Sequence, residues 1–333
     1  MKNLILFVLL FFASISLFAQ DIHFSQFFET PLYRNPALAG IVTGDYRVQA
    51  VYRSQWNSIA NAYKTASLNA EYKMHVAGDD YMTIGVQAFY DKAGTTNLTT
   101  THLLPAINYH KSISNERNQY ISVGFMGGLV QRSFDRSKMT TNSQYNGVAD
   151  METNAQSQYS YLDGSAGISF NTSINDNPDD NLVVGVAYHH FNQPKNSFFA
   201  NSGIVLSPKW NFSADVRFNL SEYSLLTIHT DHLRQGSYQE TVGGFLYGLK
   251  IGPYTDEPDY IVSAGGFLRW NDAMIPTIKI DYKPFAFALS YDVNISQLKG
   301  SSYGRGGFEL SLTYIGFTNR DNSTLSAVRC PRF

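Results

Sequence analysis

Between Phe285 and Ser296 the chain alternates without a break. Phe285, Phe287, Leu289, Tyr291, Val293 and Ile295 are apolar, and Ala286, Ala288, Ser290, Asp292, Asn294 and Ser296 between them are small or polar. Successive strand side chains point to opposite faces, so this stretch is a ribbon with one apolar and one polar face. Wound into a helix, the same residues would form no apolar stripe. Lys209 to Leu220 is written the same way. Trp210, Phe212, Ala214, Val216, Phe218 and Leu220 take one side, and Lys209, Asn211, Ser213, Asp215, Arg217 and Asn219 the other. Either a protein core or lipid must cover the apolar side.

The rhythm recurs along the chain. Further ribbons span 46–53, 66–73, 82–90, 98–110, 120–132, 161–172, 182–192, 223–233, 241–251, 260–270, 274–282 and 306–317. Together they predict about fourteen antiparallel strands, an even number in the usual range of bacterial outer-membrane barrels. Many run to about ten residues, enough to cross a bilayer at a tilt, whereas a soluble sandwich or propeller uses strands of roughly 5–6. With the first strand running outward, the inward-side turns are short: 75–80, 111–118, 175–181, 221–222, 253–259 and 283–284. The outward side holds the two longest connections, 133–160 and 193–207. That asymmetry belongs to membrane barrels, and closure removes the sheet edges that would otherwise aggregate. Tyr52, Trp56, Tyr72, Tyr188, Trp210, Trp270, Tyr282 and Tyr314 lie near ribbon ends. They suit interfacial girdles, or ordinary aromatic packing in a core.

Composition agrees. Charged residues make up 16% of the chain, against roughly 25% in soluble domains. A mean hydropathy of −0.21 is too polar for a helical bundle in a membrane, but ordinary where only alternate residues meet lipid. The net charge of −2 gives no reason to expect a nucleic-acid partner.

Residues 1–19 read as a secretory signal, with Lys2 before the apolar run Leu4–Phe18 and Ala19 at the cleavage position. Cys330 is the one cysteine, so no internal disulfide is expected. Residues 20–44 are punctuated by Pro31, Pro36 and Gly40. They read as a periplasmic lead-in on the near side of the barrel, or as a plug-like segment tucked into its mouth. The barrel is expected over 45–317 and a periplasmic tail over 318–333, so both termini are expected in the periplasm.

Candidate chemistry is sparse. His229 and Asp231 share one face of a ribbon while His232 faces the other way, and His189 and His190 also face opposite ways. Such pairs do not make a metal site without ligands from elsewhere. The oxygen-rich run 175–181 lacks the spacing of a calcium loop and reads as a solvated turn. No nucleophile elbow is present. No catalytic, cofactor or metal site is expected. Arg47, Arg53, Glu71, Lys73, Lys209, Asp215, Arg217, Lys279, Asp281, Lys283, Asp292 and Glu309 fall on polar faces. A charge facing lipid at midplane costs about 2–4 kcal/mol, so all of these are expected to line the interior. Mixed signs suit ion pairs that fill a lumen or hold a plug, whereas a selective pore favours a ring of one sign.

The two ends carry the most specific words. His23-Phe24-Ser25-Gln26-Phe27-Phe28, Pro31-Leu32-Tyr33, Asn35-Pro36-Ala37-Leu38-Ala39-Gly40, Tyr52-Arg53-Ser54-Gln55-Trp56 and the ending Cys330-Pro331-Arg332-Phe333 resemble the PorP/SprF family. The resemblance spans essentially the whole mature chain. It implies a non-catalytic outer-membrane barrel of the Bacteroidota type IX secretion system, with links to protein secretion and gliding motility. It also implies two partners: a large surface adhesin with a C-terminal sorting domain, and a periplasmic OmpA-like peptidoglycan-binding protein. A porin-like channel for small solutes is the alternative. Phe24, Gln26, Asn35, Pro36, Gly40, Arg53, Gln55 and Trp56 are the candidate site residues, either as scaffold or as partner-docking groups.

Overall fold

The computed structural model describes residues 21–55, 63–114, 117–147, 156–174, 179–199, 203–255, 258–296, 304–318 and 333. The signal segment, Trp56 and the Cys330-Pro331-Arg332 motif lie outside these.

Fourteen antiparallel strands close into one barrel. They are β1 (Tyr46–Gln55), β2 (Tyr63–Ala77), β3 (Asp80–Ala93), β4 (Leu98–Ser114), β5 (Gln119–Ser133), β6 (Gln158–Ser173) and β7 (Asn181–His189). The second half comprises β8 (Lys209–Ser221), β9 (Ser224–Gln235), β10 (Tyr238–Ile251), β11 (Tyr260–Arg269), β12 (Ala273–Tyr282), β13 (Phe285–Asn294) and β14 (Arg305–Gly316). β1 and β14 seal the barrel in register from Tyr46↔Gly316 to Gln55↔Gly307. With every strand paired on both sides, no backbone edge faces hydrocarbon.

The alternation decides the faces. Along β13, Phe285, Phe287, Leu289, Tyr291 and Val293 are exposed while the residues between them are buried. Leu103, Phe125 and Leu162, at 56%, 55% and 68% exposure, belong to the same outward belt. In water this belt would be an apolar patch far beyond what a soluble monomer displays. As a lipid-facing surface it needs no further cover. Tyr52, Tyr72, Trp210, Trp270 and Tyr282 are exposed, and Tyr188 and Tyr314 half-buried.

Two expectations about the wall are corrected. Lys283 does not line the interior: it sits in the two-residue turn between β12 and β13 and is exposed. Nor do His189 and His190 face opposite ways. β7 ends at His189 because His190 takes a left-handed backbone, φ 58. That turn swings its ring back inside, and both imidazoles are buried.

Residues 21–44 fill the lumen. Asp21 meets Lys209 and His190, beside the long connection 190–208. At the other end the Asp45 backbone N–H donates to Gly316 O at 2.9 Å, beside the short turns. The segment therefore threads the barrel from the long-loop mouth to the short-turn mouth. A lead-in resting below the barrel does not describe this path, because its first residues are bonded at the far rim. Beyond Thr318 the one described residue is Phe333, which packs within the lumen against Leu38, Ile41 and Val183.

Candidate functional site: a plug bonded to the barrel wall

The plug is built from short turns that its own sequence caps. A 3₁₀ turn spans Phe27–Glu29, followed by a single helical turn, Pro31–Arg34, with proline at its first position. Proline suits that position because its fixed φ is helical and its missing N–H would be unbonded there. Asn35 then caps the 3₁₀ turn Pro36–Leu38, its Oδ1 accepting from Ala37 N at 2.8 Å. Gly40 adopts φ 78, and a Cβ there would lie 2.0 Å from Thr83 Oγ1. Backbone conformation and wall clearance both require glycine.

Charge fixes the plug at three depths. Nearest the long-loop rim, Asp21 bridges His190 at 2.7 Å and Lys209 at 2.8 Å, and His190 also meets Asp163 at 2.8 Å. Burial opposes a charge on His190, but its two carboxylates prevail and raise its pKa to about 9. Burial likewise works against the Asp21 charge, yet Lys209 and His190 hold its carboxyl well below the usual range.

One level down, Glu309 of β14 accepts the backbone N–H groups of Ser25 and Gln26 at 2.6 and 2.7 Å. Arg53 Nε lies 3.1 Å from the same carboxylate, and Arg53 Nη2 donates to Asp292 at 2.9 Å. Arg53 also donates to the His23 carbonyl. Gln55 accepts from Arg53 Nε at 3.1 Å when its amide oxygen faces that group. The Gln26 amide donates to Ser290 Oγ at 3.0 Å and to Glu309 O at 2.9 Å.

Deeper still, Arg34 lies between two wall carboxylates. It contacts Asp215 at 3.0 Å and Asp231 at 2.5 Å, and His229 bonds Asp215 at 2.7 Å. Beside it, Phe28 stacks on His229 and Phe267 at 4.8 and 5.0 Å. Glu29 pairs with Lys279 at 2.7 Å. At the base, Asn108 holds the carbonyls of Ala37 and Ala39 at 2.8 Å each. Glu71 accepts from Gly40 N and is paired with Arg47, both at 2.8 Å.

The candidate residues other than Trp56, which lies outside the described residues, are thus gathered at one interface. Phe24, Gln26, Asn35, Pro36 and Gly40 are buried on the plug side, with Phe24 packed on Val51 and Phe89. Arg53 is buried and Gln55 half-buried on the wall side. Sequence reasoning placed Asp215, Asp292 and Glu309 on the inner face but did not single them out as sites. It passed over Arg34 and Glu29 altogether. The available signal was a pair of charges, Glu29 and Arg34, set among the prolines and aromatic residues of the lead-in. Strand glycines are a second such signal, since glycine inside a strand marks close approach of another backbone. A Cβ on Gly124 would lie 2.4 Å from the Pro36 carbonyl carbon, and one on Gly185 would lie 2.7 Å from Asn35 Nδ2.

The suspected histidines are engaged in this lock. His229 and Asp231 point inward to Asp215 and Arg34, while the half-buried His232 bonds Thr241 at 2.8 Å. Among the described residues no group of three His, Cys, Asp or Glu side chains is arranged to hold a metal ion.

Comparison with solved structures returns other barrels. The toluene transporter TodX of Pseudomonas putida superposes with a TM-score of 0.52 at 10% identity, covering 86% of this chain and 92% of that one. A deltaS2 mutant of the TodX monoaromatic hydrocarbon channel gives 0.50 at 10% identity over 86% and 93%. At such identity the likeness is one of fold. Among curated proteins nothing matches. The family model described as type IX secretion system membrane protein PorP/SprF matches residues 16–314, and the chain belongs to that family.

Proposed function

We propose that this barrel serves type IX secretion as a docking and anchoring platform for secreted surface proteins, adhesins with a C-terminal sorting domain, rather than as their conduit. The observation that carries this reading is the plug. Family membership supports an outer-membrane barrel in secretion. A lumen occupied by residues 21–44, bonded to the wall at three depths, supports docking over passage of an unfolded chain. In the orientation we propose, the long loops face outward and the short turns face the periplasm. Residue 21 then stands at the outer mouth, and the base of the plug faces periplasmic partners such as an OmpA-like peptidoglycan-binding protein.

The test is affinity purification from native envelopes in mild detergent, with mass spectrometry of everything retained. A large surface protein with a sorting domain, or an OmpA-like protein, in stoichiometric yield supports the proposal. A bare barrel that conducts ions in a planar bilayer favours the solute-channel reading instead.

A further inference from the structure

At the long-loop end of the lumen, the wall and the first residues of the plug enclose a cavity of about 210 Å³. One water needs only about 10–15 Å³ measured this way, so there is room for a ligand. Phe89, His102, Leu104, Met126 and Tyr161 give the cavity an apolar lining.

Its charges fall into two sets. Asp21, Asp163, His190 and Lys209 satisfy one another through contacts of 2.7–2.8 Å. Asp91 and Arg132 have no ion-pair partner among the described residues. Asp91 is 8% exposed, and its one hydrogen bond with a described residue comes from Thr65 Oγ1 at 2.7 Å. Arg132 donates to the neutral groups Asn196 Oδ1 at 2.7 Å and Tyr159 OH at 3.4 Å, and its buried Nε has no partner. Asp91 pairs in register with Thr100, and Thr100 with Arg132. Two strand spacings put the backbones of this acid and base roughly 10 Å apart. Gln87, fully buried in the same lining, leaves both amide atoms unpaired.

A buried charge without a partner is costly, and so is an unpaired amide. With the imidazolium of His190 between its two carboxylates, three acids and three bases line the cavity. Their sum selects a ligand of zero net charge, and the separated Asp91 and Arg132 select one that carries both signs. We propose that the cavity binds a zwitterionic amino acid or short peptide. Its ammonium lies against Asp91, its carboxylate against Arg132, and its apolar side chain against Phe89 and Tyr161. Gln87 supplies a donor and an acceptor to its remaining polar groups.

The test uses the purified full-length barrel and isothermal titration with four probes. L-phenylalanine and L-alanyl-L-phenylalanine are zwitterions. N-acetyl-L-phenylalanine lacks the cation, and L-phenylalanine amide lacks the anion. We expect at least one zwitterion to bind, and each blocked probe to bind weaker by about tenfold or more. Tighter binding of the dipeptide assigns the site to short peptides, and tighter binding of the amino acid assigns it to free amino acids. In D91N the N-acetyl probe should no longer be disfavoured, and in R132Q the amide probe should no longer be. Blocked probes binding as well as zwitterions would reduce the site to an apolar cavity and overturn the proposal. So would the failure of all four probes to bind a barrel whose heat-modifiable gel mobility shows it folded. The readout uses the barrel alone, so neither outcome bears on the docking reading.

Discussion

The side chain of Asn35 occupies the space that a Cβ on Gly167 would need: that Cβ would lie 1.9 Å from Asn35 Oδ1. The same oxygen caps the Pro36–Leu38 turn, and Asn35 Nδ2 donates to Ile168 O at 3.2 Å. Gly167→Ala therefore displaces the cap as well as crowding the wall. We expect a loss of about 1–2 kcal/mol, the worth of a cap. The check is the unfolding temperature read by heat-modifiable mobility, with Asn35→Ala as comparison. Because both changes remove one interaction, the double variant should lose little more than either single one.

Glu309 is the residue whose loss should free the upper plug. It is fully buried, and it receives two plug N–H groups together with Arg53. Glu309→Gln keeps the shape but removes the charge and turns one oxygen into a donor facing donors. Breaking a buried pair costs roughly 3–5 kcal/mol. That cost should appear as protease sensitivity between residues 21 and 30, and as new conductance in planar bilayers. If the barrel stays closed and protected, Glu309 does not hold the plug.

The barrel was readable in the sequence because lipid imposes a local rule: every second residue of each ribbon must be apolar. The inner charges were readable as inner charges for the same reason. Their partners were not. Which inward residue meets which plug residue depends on strand stagger and on the path of the plug, and both are non-local. Arg34 meets Asp215 and Asp231 across separations of 181 and 197 residues. No spacing in the chain encodes that. His190 was misplaced for a different reason. Its ribbon looked continuous, and nothing in His-His-Phe-Asn announces a left-handed residue at its second position.

Arg34 neutralises two wall acids with a planar fork, and a lysine there would keep the charge without the bidentate geometry. Arg34→Met should be the more damaging change, by about 3–5 kcal/mol, since it takes the guanidinium from two neighbouring buried carboxylates and leaves Asp215 only its contact with His229. Adding Asp215→Asn and Asp231→Asn to Arg34→Met should recover most of that loss. Unfolding midpoints of the three barrels in urea decide the matter. No recovery in the triple variant would mean that the plug needs the ion triad itself rather than relief from unpaired charge.

Docking of the first plug residues should weaken in alkali, with a definite sign. The His190 pKa is raised from 6.5 to about 9 in the folded chain. The imidazolium contact with Asp21 and Asp163 is therefore fully present below pH 6.5 and disappears as pH rises through about 9. Lys209 also faces Asp21, at 2.8 Å, so release should be partial rather than complete. Hydrogen exchange over residues 21–24, corrected for the intrinsic pH dependence of exchange, should rise on the order of tenfold between pH 7 and 10. The lower plug, held by Arg34, should not follow. His190→Gln removes the titrating group, so its corrected exchange should be high at pH 7 and flat thereafter. A wild-type profile as flat as that of the variant would show that Lys209 alone secures Asp21.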